Sequence, residues 1–390
     1  MLSKRVLLAA SFFIISIGSD SLAAGLPFNP REYPKKVVTC AALNRAENKQ
    51  VDIDLRMSHN FLGYCRKCIK NTVDYVDINP KAEKTLLLLH GWPSLWASWK
   101  YQIQEFQDDY HIIAPDLRGF GASMHPGDVR SSGSWPDLVG DLLCILGDAG
   151  VSKTIAVGHD WGTQLAYEAA RERPDVFTAV VGITIPYVPA AGPFMSTQVQ
   201  VAAHPRLAYQ LFFDKQTPAA VAELESDIRR TLRGTLRDVA SPPPESFLAS
   251  PDTFLGAWDN VKEIPVIPFF SEDEEDYWVE QFRINGFKYN LQYYTEENRF
   301  ASWKFANEQG NHTIPQPVLS ILPTEDPVAN MELAAKLLHS FDFLPNHTLR
   351  TLPTAHWTHL EKPIEVNSII RKWLTELDTN QGQGHVRDEL

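Results

Sequence analysis

The chain has 390 residues, 44% hydrophobic and 22% charged, an ordinary globular balance long enough for one large domain plus an insertion. A net charge of -12 argues against a nucleic-acid partner, which would need clustered Lys and Arg. Acidity by itself points to no other partner.

In chain order, Lys4 and Arg5 precede an apolar run over 6–17 and small residues at Ser21, Ala23 and Ala24. This is the order of a secretory signal, assigned to 1–23, and the run is too short to favour a spanning helix. Residues 24–70 are rich in Pro, Asn and Lys with weak periodicity, and read as an extension wrapped over the domain. Four cysteines are present. The Cys65–Cys68 pair lacks the second pair a zinc site needs, so a bridge among Cys40, Cys65 and Cys68 is expected, with the pairing open. Cys144 falls in an apolar helical stretch and is expected to be a buried free thiol.

Regular structure begins with an alternating strand over 73–78, then a solid apolar strand over 85–89 of the kind buried on both faces of a parallel sheet. A helix over 96–107, a strand over 111–114, a helix over 135–148, a strand from 154, a helix over 164–171 and a strand over 179–185 follow. Strands alternating with helices predict an α/β fold with a mostly parallel, doubly wound sheet, its core over 71–185 and 310–377. From 186 to 309 the alternation gives way to a helical, aromatic-rich insertion, read as a lid over the strand ends. Beyond it come a strand over 318–322, helix 330–340, strand 349–352, an amphipathic helix over 363–377 and a polar tail over 378–390. The tail ends in Arg387, Asp388, Glu389 and Leu390, which resembles a retrieval signal of the endoplasmic reticulum lumen and implies a retrieval receptor as partner. Sequons at Asn311 and Asn346 fit that compartment.

The chemistry sits on four separated motifs. T-I-A-V-G-H-D-W-G, 154–162, places Asp160 in a strand-turn-helix with glycines on either side. Such a turn holds the central side chain proud of the sheet. A carboxylate there attacks carbon and leaves an alkyl ester that water can cleave, whereas a serine would leave an ether. His90, Gly91, Trp92 and Pro93 follow the first buried strand, where a backbone N–H can serve an oxyanion hole, with Trp161 supplying the second N–H. After the insertion come P-T-E-D, with Asp326 as the acid and Glu325 competing for that role, and A-H-W-T, with His356 as the base. The order nucleophile, acid, histidine is that of the α/β-hydrolase fold.

The segments H-G-W-P-S-L-W-A-S-W-K-Y-Q, D-L-R-G-F-G-A-S, G-H-D-W-G and H-W-T-H-L-E-K-P resemble the epoxide hydrolases of the α/β-hydrolase superfamily, over roughly 72–374. The likeness is greatest to the hydrolase domain of the soluble epoxide hydrolases. It implies that Asp160 opens the epoxide, that His356, oriented by Asp326, activates water, and that two lid tyrosines donate to the oxirane oxygen. A-Y-Q-L-F-F supplies Tyr209, and G-F-K-Y-N-L-Q-Y-Y supplies Tyr294, with Tyr293 and Tyr289 as close neighbours. Trp92, Pro186 and Tyr187 are expected to line the substrate pocket. The expected partners are a small lipophilic epoxide and water, with no metal and no organic cofactor.

The resemblance implies a vicinal diol as product, or a cyclic ether where a biosynthetic substrate supplies its own hydroxyl. Two rival readings remain. A haloalkane dehalogenase shares the aspartate elbow but needs N–H donors for halide. A catalytically idle lumenal binding protein would have no physical need for the full residue set.

Overall fold

A computed structural model describes residues 28–43 and 69–387. The expected signal segment, Cys65, Cys68 and the last three residues lie outside them.

Among the described residues, a single sheet of eight strands runs in the order β1-β2-β4-β3-β5-β6-β7-β8. Its strands are β1 (Lys35–Ala42), β2 (Ile69–Ile78), β3 (Thr85–Leu89), β4 (His111–Pro115), β5 (Thr154–His159), β6 (Phe177–Ile183), β7 (Val318–Pro323) and β8 (His347–Leu352). The first two pairings, β1 with β2 and β2 with β4, are antiparallel, and every later pairing is parallel. β3 and β4 are buried at every residue, as strands covered on both faces must be.

Helices α1 (Lys100–Phe106), α2 (Trp135–Asp148) and α3 (Trp161–Glu172) connect the central strands. The helix expected from 96 is instead a 3-10 turn, Trp96–Trp99, leading into α1. α2 starts where expected because Ser134 and Asp137 form a capping box, each side chain answering the other's backbone N–H. Between β6 and β7 the chain leaves the sheet for α4 (Thr197–Ala203), α5 (Ala208–Lys215), α6 (Thr217–Ser226), α7 (Ile228–Thr235), α8 (Glu272–Asn285) and α9 (Glu296–Gln309). The chain ends with α10 (Met331–Leu337), α11 (Thr358–Glu361) and α12 (Pro363–Arg387). α12 takes up most of the stretch read as a polar tail.

Two expectations about the N-terminal region are corrected. Part of the extension is not a wrap but the edge strand β1, paired from Lys35 opposite Val76 to Ala42 opposite Ile69. Its edge position leaves much of it open to solvent, which blurs the alternation that would betray a strand. Cys144 is no free thiol: it is disulfide-bonded to Cys40 on β1, with Cα atoms 5.8 Å apart. Antiparallel pairing brings β1 alongside α2, so the bridge joins residues 104 apart in sequence.

Candidate active site

Asp160 stands between β5 and α3 with φ 53° and ψ -125°, a conformation that costs an L-residue of order 1–3 kcal/mol and persists only where its surroundings hold it. The turn fits because its neighbours lack side chains. A Cβ on Gly162 would lie 2.1 Å from the Leu89 carbonyl oxygen, and one on Gly91 would lie 2.4 Å from the Cβ of Asp160. β3 and α3 therefore close on Asp160 from both sides. The Trp92 backbone N–H donates to Asp160 Oδ1 at 2.9 Å. Trp161 heads α3, where the first-turn N–H groups have no partner within the helix.

His356 follows β8 and turns one ring nitrogen to each of two carboxylates. Nδ1 lies 2.8 Å from Asp326 Oδ2, and Nε2 lies 3.5 Å from Asp160 Oδ2. The competing Glu325 is exposed and meets Thr324 instead, so the acid beside His356 is Asp326. Asp326 is itself fixed by the Val328 N–H, which donates to its Oδ1 at 2.8 Å. Behind the histidine, His159 Nε2 and Thr184 Oγ1 each donate to the His356 carbonyl at 2.9 Å. Burial opposes charging of the His356 ring, yet Asp326 and Asp160 overcome it and push its pKa up to about 10. For Asp160 burial acts upward, but His356 and the Trp92 N–H hold the carboxyl below its ordinary range.

A cavity opens over Asp160 and His356, walled mainly by Trp92, Phe247, Leu248, Phe254 and Trp357. Tyr209 of α5 and Tyr294, which ends a 3-10 turn before α9, line the same cavity with ring centroids 5.8 Å apart. Burial first, then Asp160 for Tyr209, and Tyr209 with Asp160 for Tyr294, raise both phenols above their ordinary value. Both are thus protonated donors. Tyr293 points elsewhere, stacked on Trp161 at 5.6 Å, and Tyr289 stacks on His125 at 4.7 Å.

Pro186 and Tyr187 do not line this cavity, contrary to expectation. The Tyr187 ring packs on Tyr167, and its hydroxyl donates to the His312 carbonyl, so it serves the core. Phe254, one of the aromatics of the insertion, lines it, and so do Thr235, Phe247, Leu248, Pro327, Val328 and Trp357, which sequence does not single out. Among these, Pro327 and Val328 follow Asp326 directly, a proximity the sequence already offers. Trp92 lines it, but its indole N–H is directed to Asn290 Oδ1 at 2.9 Å, not to a ligand. Asn311 and Asn346 are both exposed. Among the described residues no group of three or more His, Cys, Asp or Glu is arranged to hold a metal ion.

Residues 84–363 match the model of the alpha/beta hydrolase fold family, and the chain belongs to that family. Within it, the chain is 28% identical over 293 residues to the rat bifunctional epoxide hydrolase 2, covering 74% of this chain and 51% of that protein. It therefore spans about half the length of those mammalian relatives. Epoxide hydrolase A of Mycobacterium tuberculosis is 29% identical over 313 residues, covering 78% of this chain and 94% of that one. Among solved structures, epoxide hydrolase A of Mycobacterium thermoresistibile superposes with a TM-score of 0.67 at 26% identity, over 78% of this chain and 95% of that one.

Proposed function

We propose that the protein opens epoxides to vicinal diols through a covalent ester on Asp160. The observation that carries this reading is one cavity holding an ionised aspartate 3.5 Å from an imidazole, with two protonated phenols in the same walls. An Asp160 oxygen displaces the oxirane oxygen from carbon, and Tyr209 and Tyr294 hydrogen-bond the alkoxide as it develops. Esterification removes the negative charge from Asp160. One of the two carboxylates that hold the His356 proton is then gone, so the imidazolium gives up that proton, by way of the phenols, to the alkoxide.

Neutral His356 next takes a proton from water as the water oxygen attacks the ester carbonyl. The N–H groups of Trp92 and Trp161 hold the resulting oxyanion. Collapse expels the diol oxygen, which takes the proton left on the Asp160 carboxyl, and the carboxylate beside imidazolium is restored. No atom or charge is left over, and the net change is one water added to one epoxide.

The dehalogenase alternative fits less well. Halide needs N–H donors facing the cavity, and the Trp92 indole is committed to Asn290. The aromatic walls suit a lipophilic epoxide. Ring closure to a cyclic ether follows where such a substrate carries a hydroxyl within reach of the opened carbon, and product analysis separates it from a diol. The Cys40–Cys144 bridge supports an oxidising compartment, in line with the leader-like and retrieval-like segments and their receptor.

The test is His356→Gln with a reactive epoxide. The variant should gain the mass of one substrate per chain, and the wild type in heavy-oxygen water should carry label into Asp160 over repeated turnovers. An epoxide that the wild type converts to diol with neither adduct nor label would sink the covalent route.

A further inference from the structure

The loop His90 to Trp96 carries the Trp92 N–H that contacts Asp160, and two adjacent residues grip it at both ends. At its start, the Leu117 N–H donates to His90 Nε2 at 3.0 Å. The other ring nitrogen, Nδ1, donates to the Gly91 carbonyl at 2.9 Å, which leaves Nε2 as the acceptor the Leu117 bond requires. At its end, the Trp96 N–H donates to Asp116 Oδ1 at 3.0 Å. The turn Asp116–Leu117 is therefore the clamp on the loop.

Asp116 is buried to 1% side-chain exposure, and a carboxylate so placed needs a countercharge. Lys35 supplies it: Nζ meets Asp116 Oδ2 at 2.5 Å and Gln281 Oε1 at 3.3 Å. A second buried carboxyl, Asp74, lies close enough to feel both charges. Lys35 comes from β1, which precedes the family-matched residues 84–363 and is fastened by the Cys40–Cys144 bridge.

We infer that Lys35 is a positioning residue for the active-site loop, acting through Asp116 to hold the Trp92 N–H at the nucleophile. The edge strand β1 thereby tunes the oxyanion hole. The inference about hydrolysis rests on the function proposed above; the inference about the loop does not.

The experiment compares Lys35→Gln, Lys35→Arg and Lys36→Gln, whose lysine is the neighbour on the same strand and pairs with Asp77. Amide exchange of residues 90–99 in the resting protein reads the loop without any substrate. Exchange should quicken about tenfold or more in Lys35→Gln, return toward wild type in Lys35→Arg, and stay unchanged in Lys36→Gln. With an epoxide, Lys35→Gln should accumulate the ester at steady state, because a displaced oxyanion donor slows hydrolysis about tenfold or more. Wild-type exchange in a folded Lys35→Gln overturns the inference, and so does equal loss of protection in Lys36→Gln. Should Lys35→Gln fail to fold, the Lys35→Gln/Asp116→Asn double variant removes the stranded charge, and wild-type protection of its loop would equally overturn it. Faster loop exchange in a protein that forms no ester with any epoxide would leave the Lys35 assignment standing and refute the proposed reaction alone.

Discussion

Tyr294 and Tyr293 are adjacent, yet one lines the cavity over Asp160 and the other stacks on Trp161. Sequence does not separate such neighbours, because a one-residue shift in a 3-10 turn rotates the side chain to another direction. Glu325 and Asp326 pose the same problem, and only the backbone after β7 shows which carboxylate meets His356. Asp160 is legible in the sequence because the glycines beside it are demanded by the turn itself, and His356 because it follows the last strand and precedes a helix. The donor pair makes a sharp prediction at this scale. Tyr209→Phe and Tyr294→Phe should each slow ester formation by roughly a hundredfold in a single turnover, the range for a positioned acid, and the double variant should lose more. A Tyr294→Phe enzyme alkylated at the wild-type rate would remove Tyr294 from the pair.

At the scale of elements, the alternation of apolar strands and amphipathic helices is visible along the chain from β3 to α12. β1 escaped notice because its residues divide irregularly between solvent and core. Its bridge to α2 escaped too, since partners 104 residues apart are chosen by sheet pairing and not by local pattern. Cross-linking so long a loop restrains the unfolded chain, and losing it costs about 2–5 kcal/mol. Cys40→Ser and Cys144→Ser should each lower the denaturation midpoint by a matching amount. A reductant should bring the wild type down to the same value and leave the variants where they are. A midpoint indifferent to both treatments would show that the bridge adds nothing to stability.

Across the whole molecule, the sheet and the helices between β6 and β7 divide the candidate site: the sheet presents Asp160, Asp326 and His356, and the helical insertion presents the phenols. Chain order discloses that division. Apart from Trp92, the cavity walls stay hidden from it, since Phe247, Leu248 and Trp357 join Trp92 only once distant segments pack. Both sequon asparagines are exposed, as attachment of sugar requires. If the protein resides in the secretory pathway, the cellular form should lose mass at Asn311 and Asn346 on treatment with an N-glycan-cleaving enzyme. A cellular form whose mass equals that of the bare polypeptide would contradict that residence.

The positive φ of Asp160 bears on how this chain can drift. Glycine adopts such a backbone freely and aspartate does not, so mutation at this one codon has a downhill direction in stability. A scaffold that merely bound its ligands would have nothing to set against that slope and would slide along it. Under the ester reading proposed above, the carboxylate perched there is strain kept in exchange for turnover.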